Sequence, residues 1–297
     1  MFHFVIFIYK DKCIFETLKN YHSKMEKFQL QLFFQIIGLG SASGLLYHNH
    51  LLYLISDNST YLYEYKIESN ELTKIALTEN PAENISKKEK LDFESIALKG
   101  NKIVFLGSGS TENRNIAKSF HLKSKKIKTF DFIKHFENFR KITSLSNDEL
   151  NIEGLIIIED KILFFQRGNA INASNGIFIM NEITQNIIFK TVSLPKINNV
   201  EASFTDAILV DKTIYFLATV ENTISTYDDG EILGTFVGEM NLENFNIENT
   251  ILISKTNKFE GITLFKNTES EMEFLLCEDN DTEELKSNIY KLTINKK

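Results

Sequence analysis

The chain is expected to be an all-β protein, a five-bladed β-propeller closed by its own N-terminal strand, and three observations predict this. Five short segments are variants of one phrase: SASGLLY from Ser41, DFESIAL from Asp92, NIEGLII from Asn151, SFTDAIL from Ser203 and KFEGITL from Lys258. Their third positions stand 51, 59, 52 and 55 residues apart, a period in the range of propeller blades. Each phrase is followed by further short runs rich in β-branched and aromatic residues and split by Asn, Asp, Gly and Lys, the pattern of strands joined by hairpins. Finally, the two ends of the chain together supply one complete repeat.

The elements follow in order. The second run of each repeat is LLYLISD, KIVFLGS, KILFFQR, TIYFLAT or EFLLCED, and the third is YLYEYKI, SFHLKSK, GIFIMNE, GTFVGEM or NIYKLTI. Four repeats add a fourth run, ELTKIAL, KIKTFDF, NIIFKTVSL and NTILISK. The last repeat lacks one, and QLQLFFQI from Gln29 is available to fill the place. From Glu260 to the C-terminus and on from Met25 to Ser43 takes 55 residues, which matches the internal steps. Such a closure removes the open edge that a linear array of sheets leaves. A six-bladed ring, the alternative, requires a repeat within Ile133–Leu150 or Thr78–Leu91, and neither holds paired strand runs.

Residues 25–297 therefore read as a single propeller domain, while 1–24 fall outside the repeat as a start-site artefact or a loosely attached extension. The opening FHFVIFIY is too short to span a bilayer and runs at once into Lys10, Asp11 and Lys12. No basic region precedes it and no small-residue cleavage site follows, so a cytoplasmic protein with no membrane partner is expected. With 25 Phe and no Trp, aromatic packing between blades falls to phenylalanine. A net charge of −7 provides no basic footprint for nucleic acid, and two cysteines form no disulfide framework. A monomer is expected.

The phrases GLGSASGLL, LDFESIAL, FLGSGSTENR, NIEGLIII, FFQRGN, SFTDAIL, STYDDGEILG and KFEGITLF together resemble an uncharacterised bacterial propeller family. More remotely they look like the phytase-like and gluconolactonase-like propellers. The remote resemblance implies a divalent cation, usually calcium, held by carboxylates at the mouth of the central channel, and ester, lactone or phosphate hydrolysis.

In a propeller the first strand of each blade is innermost, so equivalent positions of the five phrases form a ring around the axis. That ring is Ser43, Glu94, Glu153, Thr205 and Glu260, with Asp206 one position beyond. Like charges at short range raise one another's pKa or require a cation, and calcium tolerates irregular oxygen ligand sets. Glu94, Glu153, Asp206 and Glu260 are the candidate metal ligands, and the three glutamates are also the candidate acid–base groups. Alternatively each glutamate accepts hydrogen bonds from the neighbouring blade's backbone and staples blades together.

Only Arg114, Arg140 and Arg167 among 33 basic residues are arginines. Arg114 and Arg167 both follow a second strand, where a planar fork suits a small anionic ligand; the alternative is that they pair with Glu94 and Glu153. Corresponding loops offer Asp57, Glu221 and Asp279, and the acidic loop ENTISTYDDGEILG adds Asp228 and Asp229 as ligand-loop candidates. No nucleophile elbow and no HExxH is present, and His48, His50, His121 and His135 have no partner by spacing. The leading functional expectation is a calcium-dependent hydrolase of a small anionic ester, lactone or phosphate. A non-catalytic ligand-binding propeller and a glycoside hydrolase are the alternatives, the latter needing an acid and a base or nucleophile about 5–9 Å apart.

Overall fold

A computed structural model describes residues 28–223, 230–279 and 284–296. Five four-stranded antiparallel sheets form the blades. Blade 5 contains β1 (Phe28–Ile37), and blade 1 is built from β2 (Ala42–His48), β3 (Leu51–Ser56), β4 (Tyr61–Lys66) and β5 (Glu71–Ala76). Blade 2 contains β6 (Phe93–Lys99), β7 (Lys102–Gly107), β8 (Ile116–His121) and β9 (Ile127–Asp131). Blade 3 contains β10 (Ile152–Ile158), β11 (Lys161–Gln166), β12 (Gly176–Asn181) and β13 (Ile187–Thr191). A two-stranded hairpin, β14 (Lys196–Ile197) with β15 (Val200–Glu201), leads into blade 4. That blade is β16 (Ser203–Val210), β17 (Thr213–Asn222), β18 (Glu231–Asn241) and β19 (Ile247–Ser254). Blade 5 is completed by β20 (Lys258–Asn267), β21 (Glu271–Asp279) and β22 (Lys286–Asn295).

The inner strands pack in a closed circle, β2 on β6, β6 on β10, β10 on β16, β16 on β20 and β20 back on β2. Blade 5 has the strand order β1-β22-β21-β20, so the N-terminal strand occupies its outer position. The pairing runs antiparallel from Phe28 opposite Ile294 to Ile37 opposite Lys286. The ring thus closes at five.

Five apolar clusters fill the five gaps between blades, and each draws on both neighbours. Phe93, Phe105 and Phe120 of blade 2 meet Tyr53, Ile55 and Leu62 of blade 1. Phe165 of blade 3 lies edge-on to Phe204 of blade 4, with ring centroids 5.3 Å apart. Of the twelve largest fully buried side chains, eleven are phenylalanine, so the Trp-free composition is met by Phe packing. The stretch 133–150 contributes no blade. It forms helix α1 (Ile133–Thr143), whose Phe136 and Phe139 plug the gap between blades 2 and 3, Phe139 stacking on Phe178 at 4.2 Å. The repeat arithmetic is silent about α1 and β14–β15, because both are insertions that follow no period.

Candidate functional site

Each innermost strand carries an irregularity at the same place. Between Ala42 and Gly44, Phe93 and Ser95, Ile152 and Gly154, Phe204 and Asp206, and Phe259 and Gly261 the ladder skips one residue. The skipped residues are Ser43, Glu94, Glu153, Thr205 and Glu260, the five ring positions. A bulge frees its extra residue from pairing and re-aims the side chain, which explains why one sequence phrase recurs in every blade. Close approach accompanies it: a Cβ on Gly261 would stand 3.0 Å from the Cα of Gly44 in the next blade.

The ring members divide the work. Ser43 Oγ donates to the carbonyl of Phe93, and Thr205 Oγ1 donates to the carbonyl of Phe259 at 2.7 Å, each reaching the following blade. Asp206 accepts from the amides of Ala207 at 2.7 Å and of Ile262, in blade 5, at 2.8 Å. Among the described residues, side-chain bonds from the ring to the next blade's backbone come from two hydroxyls and Asp206, while Glu153 is linked to blade 4 through Arg167. Burial pushes the Asp206 carboxyl well above the ordinary range, against the pull of those two amides.

The three glutamates are buried and face one charged network. Glu153 Oε1 accepts from Arg167 at 3.1 Å and from Asn151 Nδ2 at 2.6 Å, and Arg167 also pairs with Glu221 of blade 4. Glu260 pairs with Lys258 at 2.8 Å, and Lys258 reaches Asp279 at 3.1 Å. Glu94 makes no hydrogen bond or ion pair among the described residues, although it is only 9% exposed. Burial, and then the charges of Asp92, Glu153 and Glu260, raise its carboxyl well above the usual range. Arg114 goes to Asp92 at 2.8 Å, to Ser110 Oγ at 2.8 Å and to the Lys87 carbonyl at 2.9 Å, which engages both terminal nitrogens and leaves its buried Nε without a hydrogen-bond partner. Arg114 and Arg167 thus serve different carboxylates. Asp228 and Asp229 lie outside the described residues.

Beside Glu94 stand Asp57 and Asp92, and oxygen atoms of the three lie within 4.8 Å of one another. Lys90 bridges Asp57 and Asp92, at 2.8 Å from the latter. Burial pushes Asp57 up while Lys90 pulls it down. At Asp92 the effect of burial is outweighed by Lys90 and Arg114, which hold it below its usual value. Asp57 Oδ1 is buried without a hydrogen-bond partner. Across the network seven carboxylates (Asp57, Asp92, Glu94, Glu153, Glu221, Glu260 and Asp279) face four cations (Lys90, Arg114, Arg167 and Lys258), an excess of three negative charges when all are ionised. Three bunched oxygens with one unpartnered carboxylate fit a hard divalent ion such as calcium, which takes oxygen ligands in irregular sets.

Lys90, Asp92 and Lys258 are site residues that the ring argument passes over. Their signal was nevertheless present in part: the first position of the repeated phrase is Ser41, Asp92, Asn151, Ser203 or Lys258, always polar and two residues before the ring position. Strand alternation puts residues two apart on one face, and Asn151 and Lys258 do contact their own ring glutamates.

Burial, partly offset by Lys258, raises the Glu260 carboxyl to about 8. A carboxyl with a folded value above its unfolded one stabilises the fold through its protonated form. That contribution is complete below the unfolded value and is lost as pH rises through the folded one. Denaturation midpoints should therefore fall between pH 5 and pH 9, and Glu260→Gln should flatten the slope. Equal slopes in wild type and variant would show that Glu260 does not carry this proton.

Among solved structures the chain is similar to the glutaminyl cyclase of Myxococcus xanthus, with a TM-score of 0.53 and 10% identity over 91% of this chain and 99% of that one. It is also similar to a luciferin-regenerating enzyme, with a TM-score of 0.48 and 8% identity over 91% of this chain and 97% of that one. The likeness to the glutaminyl cyclase is one of fold alone. No curated protein matches the sequence. No helix among the described residues is long and apolar enough to cross a membrane. Residues 38–294, the whole run from the end of β1 through blade 5, match the Family of unknown function (DUF6929), and the chain belongs to that family.

Proposed function

We propose that the channel mouth is a calcium-dependent hydrolytic site for a small ester, lactone or phosphate, with the cation held by Asp57, Asp92 and Glu94. One observation carries this reading: Glu153 and Glu260 each have a cation of their own, whereas Glu94 is buried, bare and grouped with two further carboxylates. A buried carboxylate without a partner is costly, and a ligand that pairs with it recovers the cost. The bound ion would polarise the substrate oxygen. Water adds to the centre bearing that oxygen as its bond to the departing oxygen breaks. Glu260, raised to about 8, gives its proton to the departing oxygen, Lys258 at 2.8 Å steadies the carboxylate, and the proton shed by the water restores the acid. Arg167 fixes Glu153 in place. With Glu260 protonated the mouth keeps an excess of at most two negative charges, which a divalent ion would cancel, so turnover is conditional on the cation.

Calcium should raise the melting temperature of the full chain by about 5–10 °C at a hundredfold excess over Kd, since binding stabilises only the folded state. Glu94→Gln should abolish that rise together with calcium-dependent cleavage of p-nitrophenyl ester, lactone or phosphate probes. An undiminished calcium response in Glu94→Gln would overturn the assignment. A response without turnover of any probe would leave a ligand-binding propeller.

A further inference from the structure

Lys90 stands where a cation at this site would have to go. Its side chain is 11% exposed, and its ammonium spans Asp57 of the blade 1 loop and Asp92 at the entrance to blade 2. Glu94 is close enough for its charge to be felt by Lys90 yet makes no ion pair with it. The other ammonium in the network differs: Lys258 pairs directly with its own ring glutamate.

The backbone that carries Lys90 is tied down. Arg114 donates to the carbonyl of Lys87 at 2.9 Å, and Asn113 Nδ2 donates to that of Lys90 at 2.7 Å. The amides of Glu89 and Lys90 both donate to the carbonyl of Ser86, closing a tight turn. With the main chain pinned, the mobile part is the four-carbon stem of the lysine, whose rotatable bonds allow the ammonium to leave while the turn stays in place.

We infer that Lys90 is an internal competitor for the cation site: its ammonium occupies the Asp57–Asp92 pair when no metal is bound and swings out when a divalent ion enters. The inference rests on the reading of Asp57, Asp92 and Glu94 as the cation ligands. An ammonium supplies one positive charge and satisfies two of the three carboxylates; a divalent ion supplies two and can reach all three. Both cannot sit between the same oxygens, since like charges at that separation repel strongly. The lysine keeps the apo protein folded around a cluster of acids and lowers the apparent affinity by the fraction of time it occupies the site. Weak ions and trace metal are thereby excluded, and the site fills only at cation concentrations that outcompete a tethered charge. Arg114 is a positioning residue in this arrangement, since it anchors both Asp92 and the turn that presents Lys90.

Two measurements on the full chain test this. Calcium chloride titrated calorimetrically into Lys90→Met should show a Kd at least about tenfold tighter than wild type, the gain expected when a competing internal state is removed. In the wild-type protein, reductive methylation of Lys90 read by peptide mass spectrometry should be slow without calcium and about tenfold faster with it, because the released amine faces water; this readout does not depend on the variant folding. If wild type and Lys90→Met bind calcium equally and labelling is unchanged, the competitor role is overturned and the cation site stands. If neither binds calcium, the cation reading fails and the competitor role with it.

Discussion

A chain shortened to begin at Gly38 is expected to lose its soluble, cooperatively folding form. The deletion removes β1, which pairs with β22 along the outer edge of blade 5. It also strips the gap between blades 5 and 1 of Ile36, fully buried there, and of Phe34, stacked on Tyr65 of blade 1 at 5.4 Å. Truncating one such buried side chain costs about 2–5 kcal/mol, so Ile36→Ala alone should use a large part of the stability of an ordinary domain. Deletion adds a second effect, because the exposed edge of β22 becomes a template for pairing with other chains. Removal of residues 1–24 should by contrast leave the melting temperature within a few degrees. Expression and thermal melting of the two shortened chains decide the matter. A monomeric Gly38 chain with a sharp transition would show that β1 does not hold the ring closed.

Arg167→Met is the substitution expected to damage stability most among the charged groups. Arg167 is 7% exposed and holds the carboxylates of two blades, Glu153 of blade 3 and Glu221 of blade 4. Methionine fills a similar space without the charge, leaving two buried carboxylates facing each other and Glu260 nearby. Breaking a buried pair by removing one partner costs about 3–5 kcal/mol, far above an exposed ion pair. Urea unfolding at pH 7 should show that loss in the midpoint with an unchanged slope. The double variant Arg167→Met, Glu153→Gln should recover part of it, since one stranded charge is gone. A loss below about 1 kcal/mol would mean that solvent or a ligand already screens these groups, and that Arg167 has donors to spare for an anion.

The network also gives both arginines partners within the protein. In this lysine-biased chain each of the two is placed where several acceptors must be met at once: Asp92, Ser110 and the Lys87 carbonyl for Arg114, Glu153 and Glu221 for Arg167. A guanidinium fork does this with donors fixed in one plane, whereas the ammonium groups of Lys90 and Lys258 bridge their carboxylates as point charges. Their rarity marked them as special, but the same rarity is compatible with a ligand and with an internal pair, and spacing along a chain does not separate the two.

The sequence by itself determined the number of blades, the closing strand and the five ring positions. All three depend on periodicity: a bulge that turns one side chain toward the axis has to recur in every blade, so SASGLLY, DFESIAL, NIEGLII, SFTDAIL and KFEGITL repeat visibly. What only the tertiary structure decided is which ring acid has a partner. Glu94, Glu153 and Glu260 are equivalent in the repeat, yet Arg167 reaches Glu153 from the end of the second strand of its blade, Lys258 reaches Glu260 from two residues before it, and Lys90 passes Glu94 by for Asp57 and Asp92. Asp206, one step along from Thr205, turns to backbone amides of its own and the next blade instead. Helix α1 and the β14–β15 hairpin were equally invisible to the period. The physical reason is common to all of these. Periodicity encodes contacts that every blade shares, whereas a counter-ion is chosen by distance in space among side chains from different blades and loops, and Coulomb attraction across a channel leaves no spacing in the chain.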